Sequence, residues 1–84
     1  MPVISIFNGI VIRMYFLSSE HNPPHIHAIY GDTIAAIDFQ QNEVLEGELP
    51  PRILQLVLDW TSHYRNELLQ MWETQEFIIL PPLE

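Results

Sequence analysis

The sequence predicts an α+β fold: an antiparallel meander of about five strands, with one long C-terminal helix packed across a face. Short β-branched runs separated by turn signals occupy residues 3–46, and a helical apolar stripe follows at residues 51–73. With 84 residues, of which 48% are hydrophobic and 17% charged, the chain has the size and composition of a single globular domain spanning residues 1–84.

The first two strands are predicted to form a hairpin. Residues 3–7 and 10–17 are apolar runs, and Asn8-Gly9 lies between them. Asn-Gly is a strong hairpin signal because a type I′ turn needs positive φ at both central residues.

Arg13 interrupts the second apolar run. Strand alternation puts its side chain on the same face as Val11 and Tyr15. An unpaired arginine inside such a strand costs roughly several kcal/mol in desolvation. Arg13 is therefore expected either in a structural ion pair or at an anion-binding site.

Three further strands are predicted after a loop at residues 18–24. They cover residues 25–30, residues 33–39 and a short edge strand at residues 43–46. Gly31-Asp32 is interpreted as a two-residue turn. The acidic residues of the last strand discourage pairing with another chain, and Glu46, which begins the connector Glu46-Gly47-Glu48, is interpreted as solvated charge.

The helix is predicted to begin at Pro51, since the first helical turn needs no N–H donor there. The tail at residues 77–84 is apolar, and either folds back against the sheet or docks on another chain. A helix turns by about 100° per residue. The predicted buried stripe therefore consists of Ile53, Val57, Trp60, Tyr64, Leu68 and Met71. The predicted solvent-facing side consists of Gln55, Asp59, Ser62, Asn66, Gln70 and Glu73.

Three of the four histidines, His21, His25 and His27, lie within seven residues around Pro23-Pro24. On a strand, His25 and His27 point to one face, so both imidazoles can reach one metal ion. With His21 as a third ligand the set resembles a catalytic zinc site. Three interpretations stay open: a site for a divalent metal such as zinc, a metal-free acid–base or ligand-binding site, and a structural cluster.

Two carboxylates complete the candidate site. Three roles are open for Glu20: a metal ligand, a hydrogen-bond acceptor for a histidine that binds the metal, or a general base. Counting back from the Gly31-Asp32 turn places His25 opposite Asp38, where a carboxylate would fix the imidazole tautomer. The candidate catalytic residues are His21, His25, His27, Arg13 and Asp38, and the candidate metal ligands are His21, His25, His27 and Glu20.

Composition limits the classes of function. Without cysteine, disulfides and thiolate metal sites are excluded. No signal peptide and no apolar run of about 20 residues is present, so a cytoplasmic protein without a membrane span is expected. The net charge of −8 opposes non-specific binding to nucleic acid, and favours a basic protein partner or a metal. Formation of a homo-oligomer would also bury additional surface of so small a domain.

Several motifs resemble those of the small bacterial proteins of domain of unknown function 4160. They are MPVIS at residues 1–5, GIVIRM at 9–14, HNPPHIHA at 21–28, YG at 30–31, EGELP at 46–50 and LDW at 58–60. The resemblance extends to about Trp72.

The resemblance implies a small cytoplasmic protein, the toxin of a type II toxin–antitoxin module, with a cognate small protein partner encoded nearby. In that case the histidines act as acid and base and Arg13 holds a phosphate, which would make the protein a ribonuclease with RNA as its substrate. The alternative is a non-enzymatic acidic protein-interaction module, antitoxin-like or regulatory, in which the histidine cluster is structural or binds metal.

Overall fold

The computed structural model describes residues 3–15 and 23–83 and has the predicted α+β architecture. One antiparallel sheet contains five strands in chain order, followed by two helices. The strands are β1 (Val3–Phe7), β2 (Ile10–Arg13), β3 (His25–Tyr30), β4 (Thr33–Asp38) and β5 (Glu43–Gly47), and the helices are α1 (Pro51–His63) and α2 (Arg65–Thr74).

Both predicted hairpin turns are confirmed. Asn8 and Gly9 have φ angles of 51° and 78°, the positive values that a type I′ turn requires. Tyr30 pairs with Thr33 across the second turn, so two residues connect β3 to β4. The Thr33 hydroxyl donates to the Tyr30 carbonyl at 2.7 Å and reinforces that turn.

The predicted helical segment is present, but it is divided at Tyr64 rather than continuous. Tyr64 has φ −103° and ψ 19°, outside helical values, although its N–H still bonds to the Trp60 carbonyl. The Arg65 Nε donates to the carbonyl of Phe39, the residue that follows β4, at 3.0 Å, which ties the start of α2 to the sheet. The apolar periodicity continues through Tyr64, so the sequence pattern does not reveal this division.

The core lies on one side of the sheet. Phe7 and Ile10 pair across β1 and β2, and Phe7 stacks on Trp60 of α1 with ring centroids 5.6 Å apart. In β2 the side chains of Ile10 and Ile12 are buried, whereas those of Val11 and Arg13 are half-buried. No helix in residues 3–15 and 23–83 is both long enough and apolar enough to cross a membrane.

The apolar tail folds back on β1, one of the two alternatives open from the sequence. The Leu80 N–H donates to the Ile4 carbonyl at 2.7 Å, and the buried Ser5 hydroxyl donates to the Leu80 carbonyl at 2.8 Å. The Trp60 indole N–H bonds to the Pro81 carbonyl at 3.0 Å. The tail therefore satisfies backbone groups at the edge of β1 and anchors α1.

Edge strand β5 contains a bulge that changes which side chains share a face. Ile37 pairs with Val44, yet its neighbour Ala36 pairs with Glu46, so Leu45 is the extra residue. The bulge leads into Gly47, whose φ is +79°. A Cβ at Gly47 would fall well inside van der Waals contact with the backbone carbonyl of Ile34.

Gly47→Ala is expected to destabilise the fold more than Gly31→Ala. Both glycines have positive φ, so each alanine adds about 1–2 kcal/mol of backbone strain. A Cβ at Gly31 meets nothing within 4 Å, whereas one at Gly47 displaces backbone and adds about 1–3 kcal/mol more. Urea unfolding of both variants measures this difference, and equal free energies of unfolding would contradict it.

Leu80→Ala is expected to lower the free energy of unfolding by about 2–3 kcal/mol, because it opens a cavity beside Trp60 and β1. Ile79→Ala is the matched control, since the Ile79 side chain is 80% exposed while that of Leu80 is 6% exposed. The control should stay within about 0.5 kcal/mol of the unchanged protein. A tail that does not pack on β1 would make the two variants indistinguishable in thermal unfolding.

Candidate functional site

His25 and His27 lie next to each other on one face of β3. Their ring centroids are 5.2 Å apart and the ring planes meet at 71°. The Tyr15 ring meets His27 edge-on at 4.6 Å, and the Trp72 ring of α2 lies 5.2 Å from His25. A continuous line of four rings therefore runs from the end of β2 to α2.

His25 is held by backbone as well as by these rings. Its side chain is 8% exposed, and its Nδ1 lies 2.8 Å from the Pro23 carbonyl oxygen. A carbonyl only accepts, so Nδ1 carries the hydrogen and the neutral ring has its lone pair on Nε2. Pro23 thus sets the tautomer of His25, the task expected of Asp38 from the sequence.

Asp38 lies directly opposite His25, as counting from the turn predicts. Its Oδ1 accepts hydrogen bonds from the backbone N–H groups of Gln40 at 2.8 Å and Gln41 at 3.1 Å. Asp38 is 4% exposed, and these bonds close the turn between β4 and β5. The geometry thus gives this carboxylate a structural task, and its catalytic role stays a prediction.

Arg13 is brought beside the histidines by the pairing of β2 with β3. It is the cross-strand neighbour of His27, and its side chain is half-buried. A guanidinium and an imidazole on adjacent strands of one face form an arrangement that can hold an anion. The anion-binding role of Arg13 remains a prediction.

The predicted metal site falls partly outside the described residues. Glu20 and His21, two of its four expected ligands, belong to residues 16–22, which the structure does not describe. Within residues 3–15 and 23–83, no three histidine, aspartate or glutamate side chains are grouped to hold a metal ion. His25 and His27 thus contribute two imidazoles, and the zinc site remains a prediction.

His63 is solvent-exposed in the last turn of α1. Its ring meets that of Tyr64 edge-on at 4.6 Å. His63 lies in α1, whereas His25 and His27 lie in β3. It is therefore an exposed control for substitutions of those two histidines.

The strand register arranges the face that bears His27 in rows that cross the sheet. We call this the distal face, because it is opposite to the face that packs on Trp60 of α1. One row, the apolar row, contains one aliphatic side chain from each of four strands. Its members are Ile6, Val11, Ile29 and Ile34, each the direct cross-strand partner of the next.

The apolar row is accessible at both ends. Ile6 is 63% exposed and Ile34 is 48% exposed, while Val11 and Ile29 between them are half-buried. Four adjoining β-branched side chains on a sheet surface form a contiguous apolar patch, a feature that is common at interaction sites.

A second row, the mixed row, runs beside the apolar row and contains charged groups at both ends. It consists of Arg13, His27, Ala36 and Glu46, again as successive cross-strand partners. Glu46 belongs to this row because of the bulge at Leu45; a regular register would have placed Leu45 opposite Ala36. The sequence analysis ended the edge strand at Glu46 and interpreted its carboxylate as solvated charge, so it missed the place of Glu46 in this row.

The small side chain of Ala36 leaves a cavity of about 350 Å³ between its larger neighbours. Its lining residues are His27, Ile34, Ala36, Glu46 and Gly47. An imidazole, an isoleucine side chain and a carboxylate thus surround one depression on the distal face. Counting the strand register from β4 into β5 does not predict these neighbours, because the bulge at Leu45 shifts the register by one residue.

His25→Ala is expected to lower the free energy of unfolding by about 1–3 kcal/mol, because it removes the bond to Pro23 and the contact with Trp72. His63→Ala is the control and should change the stability by less than about 0.5 kcal/mol. Chemical denaturation followed by far-UV circular dichroism measures both. Equal effects would show that the buried contacts of His25 do not stabilise the fold.

A family model matches residues 9–73 of the chain, and its description is Domain of unknown function (DUF4160). The matched segment begins in the turn between β1 and β2 and ends within α2, so it includes both central histidines and the mixed row. No curated protein and no solved structure matches the chain.

Proposed function

We propose that this chain, which belongs to the Domain of unknown function (DUF4160) family, is a protein-interaction module that docks a small basic protein on its distal face. The observation that carries the proposal is the apolar row, four aligned aliphatic side chains with exposed ends. The occupant we infer is the cognate small protein encoded by a neighbouring gene, as in a type II toxin–antitoxin pair.

Charge selects a basic partner over a second copy of the chain. Eleven acidic residues oppose three arginines, and there is no lysine. Glu46 lies on exposed β5 in the row next to the apolar row, and Glu43 lies on the same strand, so the partner meets negative charge at that edge. Two copies would bring like net charges together, which weakens association, whereas a basic surface is attracted and steered to the face.

The contacts of His25 favour a supporting role for it. Its Nδ1 is bonded to Pro23 and its ring packs between His27 and Trp72. These contacts hold the start of β3 against α2, and so hold the rows of the distal face in register. These contacts give His25 a structural role that does not involve a substrate.

A second candidate function, a toxin with histidine-dependent ribonuclease activity, is favoured by one observation. Arg13 is the cross-strand neighbour of His27, so a cation and an acid–base group lie on adjacent strands of one face. The net charge of −8 counts against this candidate, because RNA binding depends on basic residues.

Co-expression with the neighbouring gene product is expected to yield a stable complex that Ile34→Ser weakens by about tenfold or more, because burying an isoleucine contributes about 1.5–3 kcal/mol. Ile79→Ser is the matched control, since Ile79 is an exposed isoleucine of the tail that does not belong to the apolar row. Affinity is measured by titration calorimetry with purified components. Failure to form a complex, or equal weakening by both variants, would overturn the proposal.

Growth of the expressing cells separates the two functions in the same experiment. If the chain alone inhibits growth, and if His27→Ala removes inhibition while the complex still forms, the ribonuclease candidate is supported over a purely interacting module. If growth is unaffected by the chain alone and by its variants, the ribonuclease candidate is wrong.

A further inference from the structure

The cavity beside the apolar row has a definite chemistry. Ala36 forms its floor between His27 and Glu46, and Ile34 and Gly47 complete its walls. The walls are thus a flat imidazole, an aliphatic side chain and glycine backbone. One side chain in it, Glu46, is a carboxylate, which only accepts hydrogen bonds when ionised.

We infer that this cavity binds an arginine side chain, presented by the partner protein that docks on the distal face. An arginine has an apolar stem, which fits against Ile34, and a planar cationic head. That head stacks on flat rings and bonds both oxygens of a carboxylate, which His27 and Glu46 supply. The inference rests on the proposed function, and it names the group by which the partner is recognised.

The surrounding charges favour a cation at the Glu46 end of the cavity. Glu43 and Glu48 lie close along the chain to Glu46, and all three are exposed. Arg13 lies at the opposite end of the mixed row, three strand spacings from Glu46, or about 14 Å. His27 and Ala36 therefore lie between Arg13 and the carboxylate that would bind the guanidinium.

Geometry favours arginine over lysine. A lysine ammonium is a compact, strongly hydrated charge that does not stack, so it would use Glu46 but gain little from His27. The volume of about 350 Å³ is at the lower end of the range for small-molecule sites and suits one side chain rather than a larger ligand. The cavity is thus a recognition site for a single residue.

N-acetyl-arginine amide is the probe for this inference, titrated into the isotopically labelled intact chain and followed by NMR. The expected result is saturable shifts of the amide signals of Ile34, Ala36 and Gly47, with N-acetyl-lysine amide binding more weakly. Glu46→Gln should weaken arginine binding about three- to fivefold, the effect of losing a partly exposed ion pair.

Glu43→Gln is the matched control, because Glu43 is an exposed acid of the same strand that does not line the cavity. It should weaken binding less than Glu46→Gln does, because it removes only a longer-range attraction. Ala36→Val is a second variant, in which the valine side chain fills the floor of the cavity. It should abolish arginine binding, while the NMR spectrum remains that of a folded protein because valine favours β-strands. Shifts that do not saturate, or equal weakening by Glu46→Gln and Glu43→Gln, would overturn the inference.

The partner complex distinguishes failure of this inference from failure of the proposed function. If the complex forms and Ile34→Ser weakens it, but Glu46→Gln and Ala36→Val do not, the arginine site is wrong and the docking face stands. If no complex forms but the arginine probe binds as described, the cavity stands and the proposed partner is wrong.

Discussion

The pairing of β3 with its two neighbours is the constraint on which the distal face depends. The two-residue turn at Gly31 and Asp32 aligns β3 with β4, and β2 pairs along the other side of β3. Strand side chains alternate between faces, so a slip of one residue would exchange every group on the distal face with one from the core. A single register thus places His27 beside Arg13 and also lines up the apolar row.

The one-sided core explains why that register has functional consequences. The helices and the tail mainly cover one face, on which Trp60, Phe39 and Leu68 are fully buried, and on the distal face Trp72 of α2 packs on His25 at the start of β3. In the part of the chain that the structure describes, the apolar row on the other face is exposed or half-buried. Ile6 and Ile34 consequently keep much of their surface in water, and a partner that covered the row would remove that surface.

The histidines combine support with chemistry. His25 is anchored by Pro23 and Trp72, so it links the proline segment, β3 and α2. His27 lies one row further along the strand, between Arg13 and Ala36, and borders the cavity. Two histidines of one short motif therefore have different surroundings, and the proposed contact with a partner involves only His27.

The sequence by itself determined the elements and most of their order. Asn8-Gly9 and Gly31-Asp32 set the two hairpins because their backbone conformations are local properties, and the helical periodicity identified the buried stripe. The same local counting placed Asp38 opposite His25. Such features are predictable since each depends on residues close together in the chain.

Only the tertiary structure decided the features that depend on distant contacts. The division of the helix at Tyr64 accompanies a bond from Arg65 to β4, and the tail lies on β1 through Leu80. The bulge at Leu45 carries Glu46 to the distal face and depends on the close approach of Gly47 to Ile34. These contacts join residues 13 to 76 positions apart, and the packing that selects them leaves no local pattern in the sequence.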